Sequence, residues 1–141
     1  MTDRGFKVRG LGEVAIRCRD LDAMTAFYRD VIGLEPLTGN SFDQIRFFKI
    51  ADGVAGHTTV LALFATEGPP TPGPTSSLHH IALSLPFADQ ETAIAWYDAQ
   101  GVDYTIQHFD WIGWRGVFTK DPEGNTVELV AFDPDLDPAK A

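Results

Sequence analysis

The chain has 141 residues with a single cysteine, the length of one ordinary domain, and buries roughly two-thirds of the surface its unfolded state would expose. A formal net charge of −9 with no Lys/Arg run excludes nucleic acid and other polyanions as natural partners. A small neutral, polar or cationic ligand fits better. The opening MTDRGFKVRG lacks an apolar h-region and no later segment approaches a membrane-spanning length, so a soluble cytoplasmic protein with no membrane partner is expected.

The first strand-like run is LGEVAIRC, residues 11–18. Side chains alternate across a strand, so Glu13 and Arg17 share one face and Cys18 lies on the apolar one. A lone buried cysteine argues for packing in a reducing compartment. DLDAMTAFYRDVIG follows as a helix, with Asp20 as N-cap, Met24, Phe27, Tyr28 and Val31 as its apolar stripe, and Gly33 as its stop. Three more strands are expected around EPLTG, QIRFFKI and HTTVLALF. TEGPPTPGPTSS then holds four of the nine prolines and reads as an extended linker.

LHHIALSL, residues 78–85, repeats the alternation of LGEVAIRC and places His80 where Glu13 sits, 67 residues later. His80 shares a face with Ala82 and Ser84, small residues that leave room beside the ring. His79 falls with Ile81, Leu83 and Leu85 and is assigned to structure. DQETAIAWYDAQG repeats the helix, with AWY for AFY and Gly101 as the stop. VDYTIQHF, WRGVFTK and NTVELVAF supply three strands, and DPEGN is a tight turn before the last. The unit is βαβββ, twice, giving an α+β fold. Module one spans about 8–66, the linker about 66–77, module two about 78–133, and a polar, loose tail 134–141. On the final strand Glu128 shares a face with Thr126, Val130 and Phe132, away from the apolar row.

The doubled βαβββ unit, the histidine before its second first strand, and DPEGNTVELV after WRGVF resemble the vicinal oxygen chelate superfamily. That group includes glyoxalases, extradiol dioxygenases, fosfomycin-resistance enzymes and bleomycin-binding proteins. The resemblance implies that the two sheets pair into a cleft with the helices outside. It places Glu13, His80 and Glu128 at metal-ligand positions, with Glu13 where the family usually carries histidine or glutamine. Overlaying GHTTVLALF on GNTVELVAF puts Val60 at the fourth position, which is then without a donor.

One imidazole and two carboxylates suit a divalent ion such as Mn²⁺, Fe²⁺, Ni²⁺, Zn²⁺ or Mg²⁺. Two carboxylates aimed at one site bind a cation, pair with an arginine, or leave one protonated. The competing arrangement is therefore an ion-pair network through Arg17 and Arg115. HFDWIGWRG gathers His108, Trp111, Trp114 and Arg115 as a candidate substrate wall. The resemblance implies a metal-dependent lyase or isomerase in which Glu128 and Glu13 are the catalytic carboxylates. Glyoxalase I activity is disfavoured by Val60, and dioxygenase or thiol-transferase chemistry by a glutamate at position 13. The alternative is a non-catalytic binder of a cationic, bleomycin-like antibiotic. Unpaired sheet edges and open faces predict a two-fold homodimer.

Overall fold

The computed structural model describes residues 4–37, 43–68 and 73–136. The end of the EPLTG run, the centre of the proline-rich linker and residues 137–141 of the tail lie outside the described residues. The chain divides into two compact units, Met1–Gly68 and Pro69–Ala141, and each contains one βαβββ module.

In the first, β1 (Glu13–Cys18) leads through α1 (Leu21–Ala26) to β2 (Glu35–Pro36), β3 (Ile45–Val54) and β4 (His57–Ala65). The sheet order is β1-β4-β3-β2, with β1 and β4 parallel and the other neighbours antiparallel. The crossover helix carries the chain to the far edge, and the three later strands fill back until β4 lies beside β1. Alternation holds as read: Ile16 and Cys18 are buried while Glu13, Ala15 and Arg17 are exposed. Asp20 caps α1, its Oδ1 accepting the Ala23 N–H at 3.0 Å.

The helix differs from the single α-helix expected over 20–33. From Phe27 to Val31 it widens into a π turn, in which the Ile32 N–H donates to the Phe27 carbonyl at 3.0 Å. A wider turn brings consecutive residues closer in angle. Phe27 and Tyr28 are thus both buried, edge to face at 5.1 Å, and Tyr28 reaches Phe48 of β3. The core of this module is Met24, Tyr28, Phe48, Leu61 and Leu63 with Cys18.

The second module repeats the plan with β5 (Ile81–Ser84), α2 (Phe87–Gln100), β6 (Thr105–Phe109), β7 (Trp114–Lys120) and β8 (Thr126–Phe132), in the order β5-β8-β7-β6. Helix α2 begins at Phe87, two residues before the expected Asp89, behind Pro86 and without a side-chain cap. Its end is as expected: Gly101 takes φ 69°, a left-handed conformation that costs glycine nothing. Fully buried Gln90 fastens α2 to the sheet, donating to the carbonyls of Arg115 and Leu129 at 2.7 and 3.0 Å.

Asp121 organises the DPEGN turn, accepting the backbone N–H groups of Glu123 and Asn125 at 2.9 and 3.0 Å. Asp133 is buried, its N–H donates to the Gly113 carbonyl at 2.7 Å, and Pro134–Leu136 form a 3-10 turn.

Candidate metal and substrate site

The second module's sheet has one face toward α2 and one away from it. Register places Ala82 of β5, Glu128 of β8 and Phe118 of β7 in one row across the latter face. His80 precedes β5 and turns to that row, its Nε2 standing 3.2 Å from Glu128 Oε1. Glu128 is only 5% exposed. Burial therefore pushes its carboxyl above the ordinary carboxylate range, and the neighbouring His80 opposes the shift. Room for the carboxylate comes from Gly116, because a Cβ there would fall onto Glu128 Oε2 and crowd the Phe118 ring.

His79 does not keep the structural place that alternation assigned to it. Strand β5 starts at Ile81, so strict alternation has no hold on the two residues before it. His79 is exposed, and its Nδ1 lies 2.8 Å from His80 Nδ1. Glu128, His80 and His79 thus form a continuous series from a buried carboxylate to a solvent-facing imidazole.

Aromatic rings continue outward from this pair on the same face. Phe118 lies 6.2 Å from the His80 ring and 6.4 Å from Phe109. Phe109 stands opposite Trp114, which also stands opposite Phe132. Trp111 packs against Trp114 at 6.2 Å. Trp111 and Trp114 are 74% and 43% exposed, leaving indole surface open at the far end of this row of rings.

Arg115 and His108 are not brought to this wall. They stand opposite each other on β7 and β6, one residue out of phase with Trp114 and Gly116, and so share the other face. Arg115 Nε donates to Gln90 Oε1 at 2.7 Å, its guanidinium covers the Phe87 ring at 4.6 Å, and Nη2 pairs with Glu91 at 3.0 Å. The competing ion pair between Arg115 and Glu128 is therefore not formed. The arginine neutralises the helix side of the sheet.

In the first module Glu13 stands opposite Val60 on the exposed face of β1. Arg17 shares that face, and among the described residues the two form no ion pair. Register also corrects the overlay of the two last strands. Ala15 is opposite Ala62, which is opposite Phe47, just as Ala82 is opposite Glu128, which is opposite Phe118. The counterpart of Glu128 is therefore Ala62, two residues beyond Val60. Neither residue can donate, and the first module keeps Glu13 as its one candidate ligand.

Among the described residues of either module, no three His, Cys, Asp or Glu side chains are gathered into a ready metal group. The two donors of the second module nonetheless fit an ion. Donors about 2.1 Å from a common ion at a right angle lie about 3.0 Å apart, close to the observed 3.2 Å.

The profile of the Glyoxalase/Bleomycin resistance protein/Dioxygenase superfamily matches residues 10–129. The chain belongs to this superfamily. Its structure is similar to that of lactoylglutathione lyase from Agrobacterium tumefaciens, at 25% identity and TM-score 0.63 over 86% of this chain and 92% of that one. A glyoxalase/dioxygenase from Nostoc punctiforme gives 23% identity and TM-score 0.68 over 95% and 97%. The fosfomycin resistance protein FosX from Listeria monocytogenes gives 19% and 0.65 over 92% and 97%. No curated protein matches the sequence. The relatives share a fold and differ in activity, so the superfamily is established and the reaction is not. No described helix is long and apolar enough to cross a membrane.

Proposed function

We propose that the protein is a metal-dependent enzyme of the lyase or isomerase type, acting on a small substrate that presents two adjacent oxygens. The observation that carries this reading is the His80–Glu128 pair, 3.2 Å apart with the carboxylate almost fully buried. Burying a carboxylate beside a neutral-capable imidazole is costly unless a cation or proton compensates. The arginine that might have served is committed to Gln90 and Glu91 on the other face. His80 and Glu128 would hold the ion, with Glu13 proposed as third donor from a first module. The bound ion would supply a Lewis acid for the substrate oxygens. Glu128 and Glu13 are the carboxylates proposed to move the proton. Trp111 and Trp114 are proposed to receive the apolar part of the substrate.

A second reading, a non-catalytic binder, draws on the open indoles of Trp111 and Trp114 and the charge of −9, which suit a cationic aromatic ligand. Calorimetric titration of Mn²⁺, Fe²⁺, Ni²⁺ and Zn²⁺ into protein purified without an affinity tag separates the two. The enzyme reading expects one ion per chain and at least a tenfold loss of affinity in Glu128→Gln, with the fold retained. No heat of binding for any of the four ions in wild type ends it in favour of the binder.

A further inference from the structure

We infer, building on that reading, that His79 is the positioning residue of His80: it fixes which nitrogen of His80 carries the proton, and so whether Nε2 is free to take an ion beside Glu128. The two Nδ1 atoms are 2.8 Å apart. At that distance two lone pairs repel and two N–H groups collide, so one proton lies between them. The ring planes stand 74° apart with their centroids 5.0 Å apart.

The other nitrogen of His80 fixes the sense of that hydrogen bond. Without an ion, and with Glu128 ionised and His80 neutral, Nε2 lies 3.2 Å from an acceptor and carries the proton of the ring. His80 Nδ1 is then bare and accepts, and His79 Nδ1 is the donor. With an ion on Nε2 the pattern inverts. His80 carries its proton on Nδ1 and donates it, and His79 accepts on Nδ1 with its own proton moved to Nε2. Each ring holds one proton before and after, so the exchange of tautomers balances within the pair. A ligating histidine ordinarily donates its second N–H to a carboxylate, carbonyl or water. A carboxylate at this point would accept only, supporting the ion-bound form alone. An imidazole both donates and accepts, so His79 supports both forms and holds the His80 ring in place through the change.

The test begins on metal-free wild-type protein with ¹⁵N-resolved NMR of the imidazoles, at a pH above the imidazole range. The inference expects the proton of His79 on Nδ1 and that of His80 on Nε2. Finding the His79 proton on Nε2 overturns it, whether or not the protein binds metal. Zn²⁺ is then titrated calorimetrically into wild type, His79→Leu and His79→Asn. Asparagine offers both an oxygen and an N–H close to the position of Nδ1. The expected result is about a tenfold loss of Zn²⁺ affinity in His79→Leu, the low end of what removing an outer partner of a ligating histidine costs, with most of it restored in His79→Asn. Equal affinity in His79→Leu and wild type overturns the inference. If wild type takes up no Zn²⁺, the functional reading fails on its own, and the His79 tautomer in the metal-free protein still decides this one.

Discussion

A hydrogen at position 116, where any other residue carries a Cβ, is what lets Glu128 lay its carboxylate across β7. The nearest atom to an added Cβ is the far end of the Glu128 side chain, with Phe118 next. A flexible side chain can swing aside at little cost, so Gly116→Ala should lower stability by no more than about 1 kcal/mol. The carboxylate, however, is driven from His80, and metal affinity should fall at least as far as in Glu128→Gln. Thermal melting and calorimetric titration of the same sample check both halves; unchanged metal affinity would detach Gly116 from the site. Strand alternation was enough to place Glu128 off the apolar row, because it lies within a short strand with one clearly apolar face, whereas for His80, which precedes β5, the repeat that aligns it with Glu13 carried the reading. It was not enough for Val60. An overlay of last strands fixes the face, whereas choosing Ala62 over Val60 requires the inter-strand register, which depends on where β1 and β3 pair with β4. Arg115 was misplaced for another reason. Adjacent strands do not make adjacent side chains, and its phase against Gly116 and Phe118 turns it to the helix.

At the scale of elements, α2 is held to its sheet by polar contacts as much as by apolar ones. Gln90, fully buried, makes three hydrogen bonds to Arg115 and to the Leu129 carbonyl. Replacing it with leucine strands two carbonyls and a guanidinium nitrogen away from water. Gln90→Leu should therefore lose about 3 kcal/mol, since each buried polar group left unpaired costs about 1–3 kcal/mol, a loss visible in urea unfolding. Two turns further, Tyr97 is 1% exposed, and among the described residues its hydroxyl has no hydrogen-bond partner. Burial pushes its pKa up to about 12. Raised folded-state pKa means that the native state keeps the proton after the unfolded chain has lost it near pH 10. Stability from Tyr97 is thus complete below about pH 10 and falls between pH 10 and about 12, by on the order of 1.4 kcal/mol per pH unit. Tyr97→Phe should be neutral or stabilising at pH 7 and should flatten that alkaline decline; an equal decline in the variant would assign it to other groups. The helices themselves were legible from caps and periodicity, with Asp20 and Gly101 ending them as read. The π turn was not, because the AFY triplet that widens in α1 has a near copy, AWY, in a regular α2. What separates the two is the packing of Phe27 and Tyr28, which the triplet alone does not encode.

At the scale of the whole molecule, the two modules leave apolar surface that a chain of this charge has reason to cover. Before β1, Phe6, Val8 and Leu11 are 69%, 78% and 63% exposed, and on the second module Trp111 and Phe132 are 74% and 50% exposed. Among the described residues β1, β2, β5 and β6 stand at the edges of their sheets, edges of the kind proteins blunt or pair. Single exposed hydrophobes need no explanation, but a run of three at every second or third residue on one extended segment does. The expectation is a two-fold dimer in which the Phe6–Leu11 segment is covered by a second copy. Each chain carries −9, so two copies repel, and association must rest on apolar area. Raising salt screens that repulsion and should strengthen the dimer, the opposite of what an interface built on ion pairs would do. Light scattering at low and high ionic strength is expected to give twice the chain mass at both, with the tighter association at high salt. Val8→Asp adds a charge where the apolar contact is expected. It should shift the protein to monomer while leaving the module fold unchanged by circular dichroism. A strictly monomeric mass for wild type at high concentration would remove the dimer from the account. A dimer that Val8→Asp leaves intact would move the interface to the tryptophan-bearing face of the second module. There Trp111→Ala would compete between two outcomes, loss of the dimer and loss of ligand binding, which the same scattering measurement tells apart.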